Sequence, residues 1–262
     1  MKLGVMSITH DPLADLAAME GVPSAVTAAR DAADAVLRDR GMRQVPAEQS
    51  AKALLAGARD SATLALQDPS TGETTHESDD VRHAVEAGSV RMSTQLIDLA
   101  ADIRSQPSRV IARAHTIVAK GLVDVGRIDA DGLGQVRPDC RERVSGVSEL
   151  LSMPTTASPV VVGAIAHAEI MATQPFELVS GIVARAVDHM VLIQAGIDPR
   201  AVLLPETAHL VAGRAYHRAL AEYSTGTADG VRAWIIHCCD ALTHGAEQSP
   251  MGAAPRFRDD KV

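Results

Sequence analysis

Phe176, Phe257, Tyr216, Tyr223 and Trp234 are the whole complement of Phe, Tyr and Trp in 262 residues, 2% of the chain. A core so poor in rings has to be filled by aliphatic side chains and alanine. Such side chains suit closely packed helices, whereas β-sandwiches draw on aromatic and β-branched residues. The sequence therefore predicts an all-α protein. The same scarcity excludes a groove in which bases stack on exposed rings. The net charge of -8 withholds the basic surplus that binds phosphate backbones, so nucleic acid is not an expected partner. With 46% hydrophobic and 22% charged residues the composition is that of a folded chain rather than a disordered one.

Cys140, Cys238 and Cys239 are odd in number, include an adjacent pair and form no Cys-x-x-Cys. Neither a disulfide framework nor a metal site is expected from that spacing. Cys238 and Cys239 lie beside His237 on a helical pattern; burial is the default reading, and a reactive thiol would need a partner that lowers its pKa. The stretch from Met1 to Pro12 has no signal-peptide core. The most apolar runs are interrupted by His167, Glu169 and Asp188 and fall short of the roughly 20 residues of a membrane span. A cytoplasmic location without membrane contact is the expectation, and nothing in the sequence marks an oligomeric state.

Helical periodicity runs from Pro23 to Arg38, with Gly41 as a stop, and again from Pro46 to Leu66. The polar stretch Gln67 to Asp80, whose acidic end begins at Glu77, reads as a loop leading into a helix start. Further helices are predicted over Asp80 to Ser105 and Pro107 to Lys120, then an irregular stretch from Gly121 to Pro138. Arg141 to Val147 reads as a short extended segment or hairpin. Ser158 is a candidate N-cap for a helix over Val160 to Ala172. A second apolar helix follows over Gly181 to Ala195, with helices over Pro205 to Tyr223 and Asp229 to Gly245. The corresponding division is N-terminal helices and loop over 1–79, a principal domain over 80–245 and a polar tail over 246–262.

No Walker loop, Rossmann glycine fingerprint, nucleophile elbow or His-Glu-x-x-His helix occurs. His167-Ala168-Glu169 matches half of a zinc deaminase signature, but no Pro-Cys-x-x-Cys follows. The informative segment is AHAEIMATQPFELVSGIVARAVDHMVLIQAGIDP, residues 166–199. A helix, a tight loop opening with Pro175-Phe176 and a buried helix starting at Gly181 resemble the heart of the Fic (Fido) family. That family is typified by His-Pro-Phe-x-Asp/Glu-Gly-Asn-Gly-Arg-x-x-Arg and commonly moves AMP from ATP onto a protein hydroxyl. Gly134-Gln135-Val136-Arg137 followed by Val144 resembles its flap. SRVIARAHTIVAKGLV, residues 108–123, is similar to its earlier helix with a Leu-His pair.

The resemblance implies an all-α Fic-like domain with a flap hairpin, a target protein added along the flap from Arg137 to Val147, and ATP with magnesium as cofactor. Several positions depart from the pattern. Gln174 stands at the catalytic His, and an amide cannot serve as the general base. Leu178 replaces the acid that holds magnesium, so no metal ligand remains there; Glu177 sits one place earlier. Ser180, Gly181 and Arg185 remain as candidate anion-binding residues at a helix N-terminus. Arg185 reads equally well as a tie between helices through a buried acid. Arg137, Arg141 and Arg143 form a basic group that either meets an anion or is solvated. The family's inhibitory Ser/Thr-x-x-x-Glu-Gly/Asn helix is matched by Ser61 alone, with Ala65 where Glu would stand.

Three readings follow from these residues. One is a pseudoenzyme that binds a protein partner or anionic ligand; another is a transferase of nucleotide or other phosphate-containing groups by an altered mechanism. The third is an unrelated all-α module.

Overall fold

The computed structural model describes residues 10–38, 46–67, 78–176 and 178–251. The start of the chain, the helix stop at Gly41, the loop from 68 to 77 with Glu77, and the tail from 252 onward lie outside the described residues. Among the described residues the secondary structure is helical throughout, without a strand.

The order is α1 (Pro12–Ala17), α2 (Val22–Arg38), α3 (Ala47–Leu66), α4 (Asp79–Ala100), α5 (Pro107–Asp124), α6 (Arg141–Ser152), α7 (Pro159–Thr173), α8 (Ser180–Gln194), α9 (Pro205–Ala212), α10 (Arg214–Tyr223) and α11 (Ala228–Glu247). The most apolar helices, α7 and α8, are buried on nearly every side and pack chiefly on one another at the centre. Around them α3 packs on α4, α8 and α9, α4 on α5, and α2 on α11.

Small residues set the helix spacing. A Cβ on Gly88 of α4 would stand 2.1 Å from the Val118 carbonyl oxygen of α5, so only glycine permits that crossing. Trp234, fully buried on α11, donates its Nε1–H to the Ala164 carbonyl of α7 at 2.7 Å. The ring thus fills space and has its polar atom satisfied. Asp11 caps α1 and also accepts from Thr155 Oγ1 and the Thr156 amide, at 2.9 Å each, fastening α1 to the chain before α7.

Ser158 is the N-cap of α7, accepting from the Val160 amide. Three sequence expectations need correction. The segment read as a hairpin is a 3₁₀ turn over Pro138–Cys140 followed by α6. Val144, Val147, Ser148 and Leu151 recur at helical spacing and are buried on one side, so the full apolar stripe requires a helix. Val144 therefore faces the core, and no extended edge is available there for a target strand. The helix read over Pro205 to Tyr223 is two, α9 and α10, broken at Gly213 with φ of 51°. Finally, α4 ends at Ala100 rather than Ser105.

Candidate functional site

The loop between α7 and α8 is held by backbone conformations that most residues avoid. Gln174, with φ of 48° and ψ of 57°, ends α7 in the left-handed region, and Leu178 has φ of 61°. Non-glycine residues in that region cost free energy and persist only where their surroundings impose them. Here Ser180 imposes the turn. Its hydroxyl accepts from the Phe176 amide at 2.9 Å and donates to the Phe176 carbonyl at 2.6 Å. Glu177 lies outside the described residues.

Two other segments grip the same loop. His115 of α5 stacks on Phe176 with ring centroids 4.2 Å apart, and its Nδ1 accepts from the Gly134 amide at 2.9 Å. The Arg137 amide donates to the Pro175 carbonyl at 3.1 Å. Burial lowers the His115 pKa to about 4, so its ring is a neutral acceptor. Between these segments lies a cleft of about 560 Å³, lined by Pro175 and Phe176 together with Arg127, Arg137, Arg141, Asp129 and Asp131. Arg137 pairs with Asp139 through Nη2 and Oδ2 at 2.6 Å. Arg143 lies elsewhere, paired with Glu169 at 2.7 Å.

Gln174 does not line this cleft. Its side-chain Nε2 is buried with no hydrogen-bond partner, an unsatisfied donor of the kind that native cores seldom tolerate. Ser180 is fully buried and its hydroxyl is engaged within the loop. Gly181 packs against the Arg185 guanidinium and Met171.

Arg185 and Ser61 come together. Arg185 is 3% exposed. Its Nε donates to Ser61 Oγ at 2.9 Å, Nη2 to the Ser61 carbonyl at 2.8 Å and Nη1 to Tyr216 Oη at 3.2 Å. The helix tie therefore runs through serine and tyrosine oxygens on α3 and α10 rather than through the acid expected from sequence. Ala65, one turn beyond Ser61, is a buried apolar residue of α3.

The sequence reading passed over a buried ionic triad. His189 of α8 bonds Glu206 Oε1 through Nδ1 and Asp198 Oδ2 through Nε2, both at 2.9 Å. Burial opposes charge on the ring, but the two carboxylates outweigh it and raise the pKa to about 10. His189 is thus an imidazolium. Asp198 also accepts from the Val202 and Leu203 amides, fixing the turn before α9. The one signal in the sequence is Asp188-His189 interrupting an otherwise apolar helix; their partners lie too far along the chain to form a spacing motif.

A second polar group lies nearby. Tyr216 Oη, which accepts from Arg185, contacts His167 Nε2 at 3.0 Å, and His167 Nδ1 contacts Asp188 Oδ2 at 3.2 Å. His209 Nδ1 meets His237 Nε2 at 3.1 Å. Burial lowers the pKa of His167 and His209, and that of His237 to about 4, while it raises that of Cys238. The three rings are neutral and the thiol is protonated.

No protein-family model and no curated protein matches the sequence. Among solved structures, a Fic family protein from Desulfovibrio desulfuricans G20 is similar in fold with a TM-score of 0.60 and 16% sequence identity, over 85% of this chain and 73% of that one. The chain thus has the all-α Fic/Fido fold. Among the described residues, no helix is long and apolar enough to cross a membrane.

Proposed function

We propose that this chain is a Fic-domain protein that no longer transfers AMP and instead binds an anionic ligand in the cleft above Pro175 and Phe176. The observation that carries this reading is the state of Arg185. In the family pattern the second arginine is placed to meet the donor phosphates, but here each guanidinium nitrogen bonds within the protein and the group is buried. Moving it to a phosphate would break the contacts that join α3 and α10 to α8.

The neighbouring positions support the same reading. Gln174 supplies no base, its Nε2 is buried, and Leu178 supplies no oxygen to a magnesium ion. What remains is a cleft lined by Arg127, Arg137 and Arg141 with Asp129 and Asp131, Arg137 being paired with Asp139; the exposed Arg141 is the cation offered to a compact anion. Arg141, exposed at the start of α6, is the natural anchor because backbone amides of a helix N-terminus add to its charge. With α6 helical, the cleft rather than a strand edge is the docking surface for the ligand.

Thermal unfolding with nucleotides, pyrophosphate and inorganic phosphate tests this. A ligand at 100 times its dissociation constant stabilises by about 2.7 kcal/mol, on the order of 5 °C in a chain of this size. The expected result is a shift that Arg141→Ala removes and that does not require magnesium. A shift that requires magnesium and survives Arg141→Ala contradicts the reading, as does no shift with any of these anions.

A further inference from the structure

The core holds a second constellation that the cleft does not use. His167 of α7, Asp188 of α8, His209 of α9 and Cys238 of α11 each turn a nitrogen, oxygen or sulfur inward, and these four atoms lie within 4.8 Å of one another. His167, His209 and Cys238 are 0%, 2% and 6% exposed. Asp188, whose side chain is 12% exposed, forms the edge nearest to solvent.

We propose that His167, Asp188, His209 and Cys238 form a tetrahedral site for a divalent metal ion, zinc by preference, that ties four core helices together.

The donor set carries the choice of ion. Two imidazoles, a thiolate and a carboxylate mix borderline, soft and hard ligands, which suits zinc and disfavours magnesium or calcium, since those take oxygen cages. Zn–N bonds near 2.0 to 2.1 Å and Zn–S bonds near 2.3 Å put tetrahedral ligand edges at about 3.3 to 3.8 Å. The widest pair therefore has to close by roughly an ångström, within the reach of side-chain torsions. The two rings stand edge to face, centroids 5.3 Å apart at 81°, so they approach the common centre from different directions.

Each imidazole also has an outer partner that orients it, as metal-bound histidines require. His209 Nδ1 faces His237 Nε2, leaving its own Nε2 for the ion. His167 Nδ1 faces Asp188, and its Nε2 faces Tyr216 Oη. Gly163 of α7 makes room for the carboxylate, because a Cβ there would stand 2.2 Å from Asp188 Oδ1.

Loading balances without any co-reactant. The Cys238 thiol releases its proton to solvent and forms the metal–sulfur bond. With His167 protonated on Nδ1, Tyr216 Oη donates to Nε2; on loading that proton moves to Nε2, the Tyr216 hydroxyl proton turns away from the ring so that Oη accepts from Nε2–H, and the freed Nδ1 forms the metal–nitrogen bond. One thiolate and one carboxylate then neutralise the dication, so burial leaves no net charge at the centre. Sequence spacing could not show such a site, since its ligands come from four helices, one each.

The test uses the full chain, treated with chelator and then equilibrated with zinc or with cobalt as a spectroscopic probe. About one equivalent of zinc is expected to survive dialysis, as at a closed structural site. Cobalt should give tetrahedral d–d bands with a thiolate charge-transfer band. Cys238→Ala should abolish the charge-transfer band, and Cys239→Ala should leave it intact. Circular dichroism of each variant separates lost ligation from lost folding; if Cys238→Ala does not fold, alkylation of the unaltered chain in urea near the unfolding midpoint of the metal-free form, where the buried thiol opens to reagent, reads whether zinc protects Cys238. Failure of the chain to retain zinc overturns the proposal. So does metal that binds equally well to folded Cys238→Ala, or a thiol that zinc leaves unprotected.

Discussion

The cleft over Phe176 and the polar groups beneath it use the same residue types to opposite ends. In the cleft, Arg137 and Arg141 are exposed, Arg137 paired with Asp139 at the surface and Arg141 facing water, where an arginine costs little to keep. In the core Arg185 is buried and bonded to Ser61 and Tyr216, and His189 is clamped between two carboxylates. Charge in the first region can act on something outside the protein. In the second it holds helices, because removing one partner from a buried set strands the others. A residue type at a motif position is therefore a poor guide to its task until its partners are known, and Arg185 is the instance on which the functional reading turns.

The sharpest way to break this comparison is at His189. His189→Leu leaves Asp198 and Glu206 buried without their cation, and we expect a loss of about 3 to 5 kcal/mol in urea unfolding. A neutral outcome would mean that the triad is not a core element. Arg185→Met should cost about 2 to 3 kcal/mol through the hydrogen bonds lost to α3 and α10. If Arg185 instead serves an open phosphate site, the variant will unfold at the same urea concentration as the parent.

Acid should act on the boundary between the two regions. His115 has a folded pKa of about 4 against 6.5 for the free side chain, so the unfolded state binds the proton first. Its contribution is complete above pH 6.5 and is lost as pH falls toward about 4. Because Nδ1 accepts from the Gly134 amide, protonation should loosen the segment around Gly134. The protection factor of that amide, its slowing relative to an unstructured amide at the same pH, should fall between those pH values in the parent; an unchanged protection factor would show that the ring does not titrate there. The smallest effect belongs to the cleft: Arg141→Ala should change stability by less than about 0.5 kcal/mol, and a larger loss would move Arg141 to the structural side of the comparison.

Much of this architecture was legible in the sequence. Scarcity of rings and helical periodicity foretold the helices, Ser158 its cap, and Pro175-Phe176 the loop between two buried helices. Gly134 to Arg137 does lie against that loop. The hairpin reading follows the β-branched type of Val144 and Val147 and overlooks their three-residue spacing, which is helical and which Ser148 and Leu151 continue. The core triad was hidden for a different reason: His189, Asp198 and Glu206 owe their charge states to burial together, and burial is a property of the assembled helices. Ser61 was singled out as a relic of an inhibitory motif. In the structure its hydroxyl and carbonyl accept from Arg185 and tie α3 to α8.

Transfer of labelled AMP tests the central claim most directly. The purified chain, its Gln174→Ala variant and its Gln174→His variant would be incubated with α-labelled ATP, magnesium and a protein extract. We predict no incorporation above background for any of the three, since restoring an imidazole at 174 leaves Arg185 bonded in the core and Leu178 without a metal-binding oxygen. Incorporation by the unaltered chain that disappears in Gln174→Ala would contradict the account and establish a working transferase.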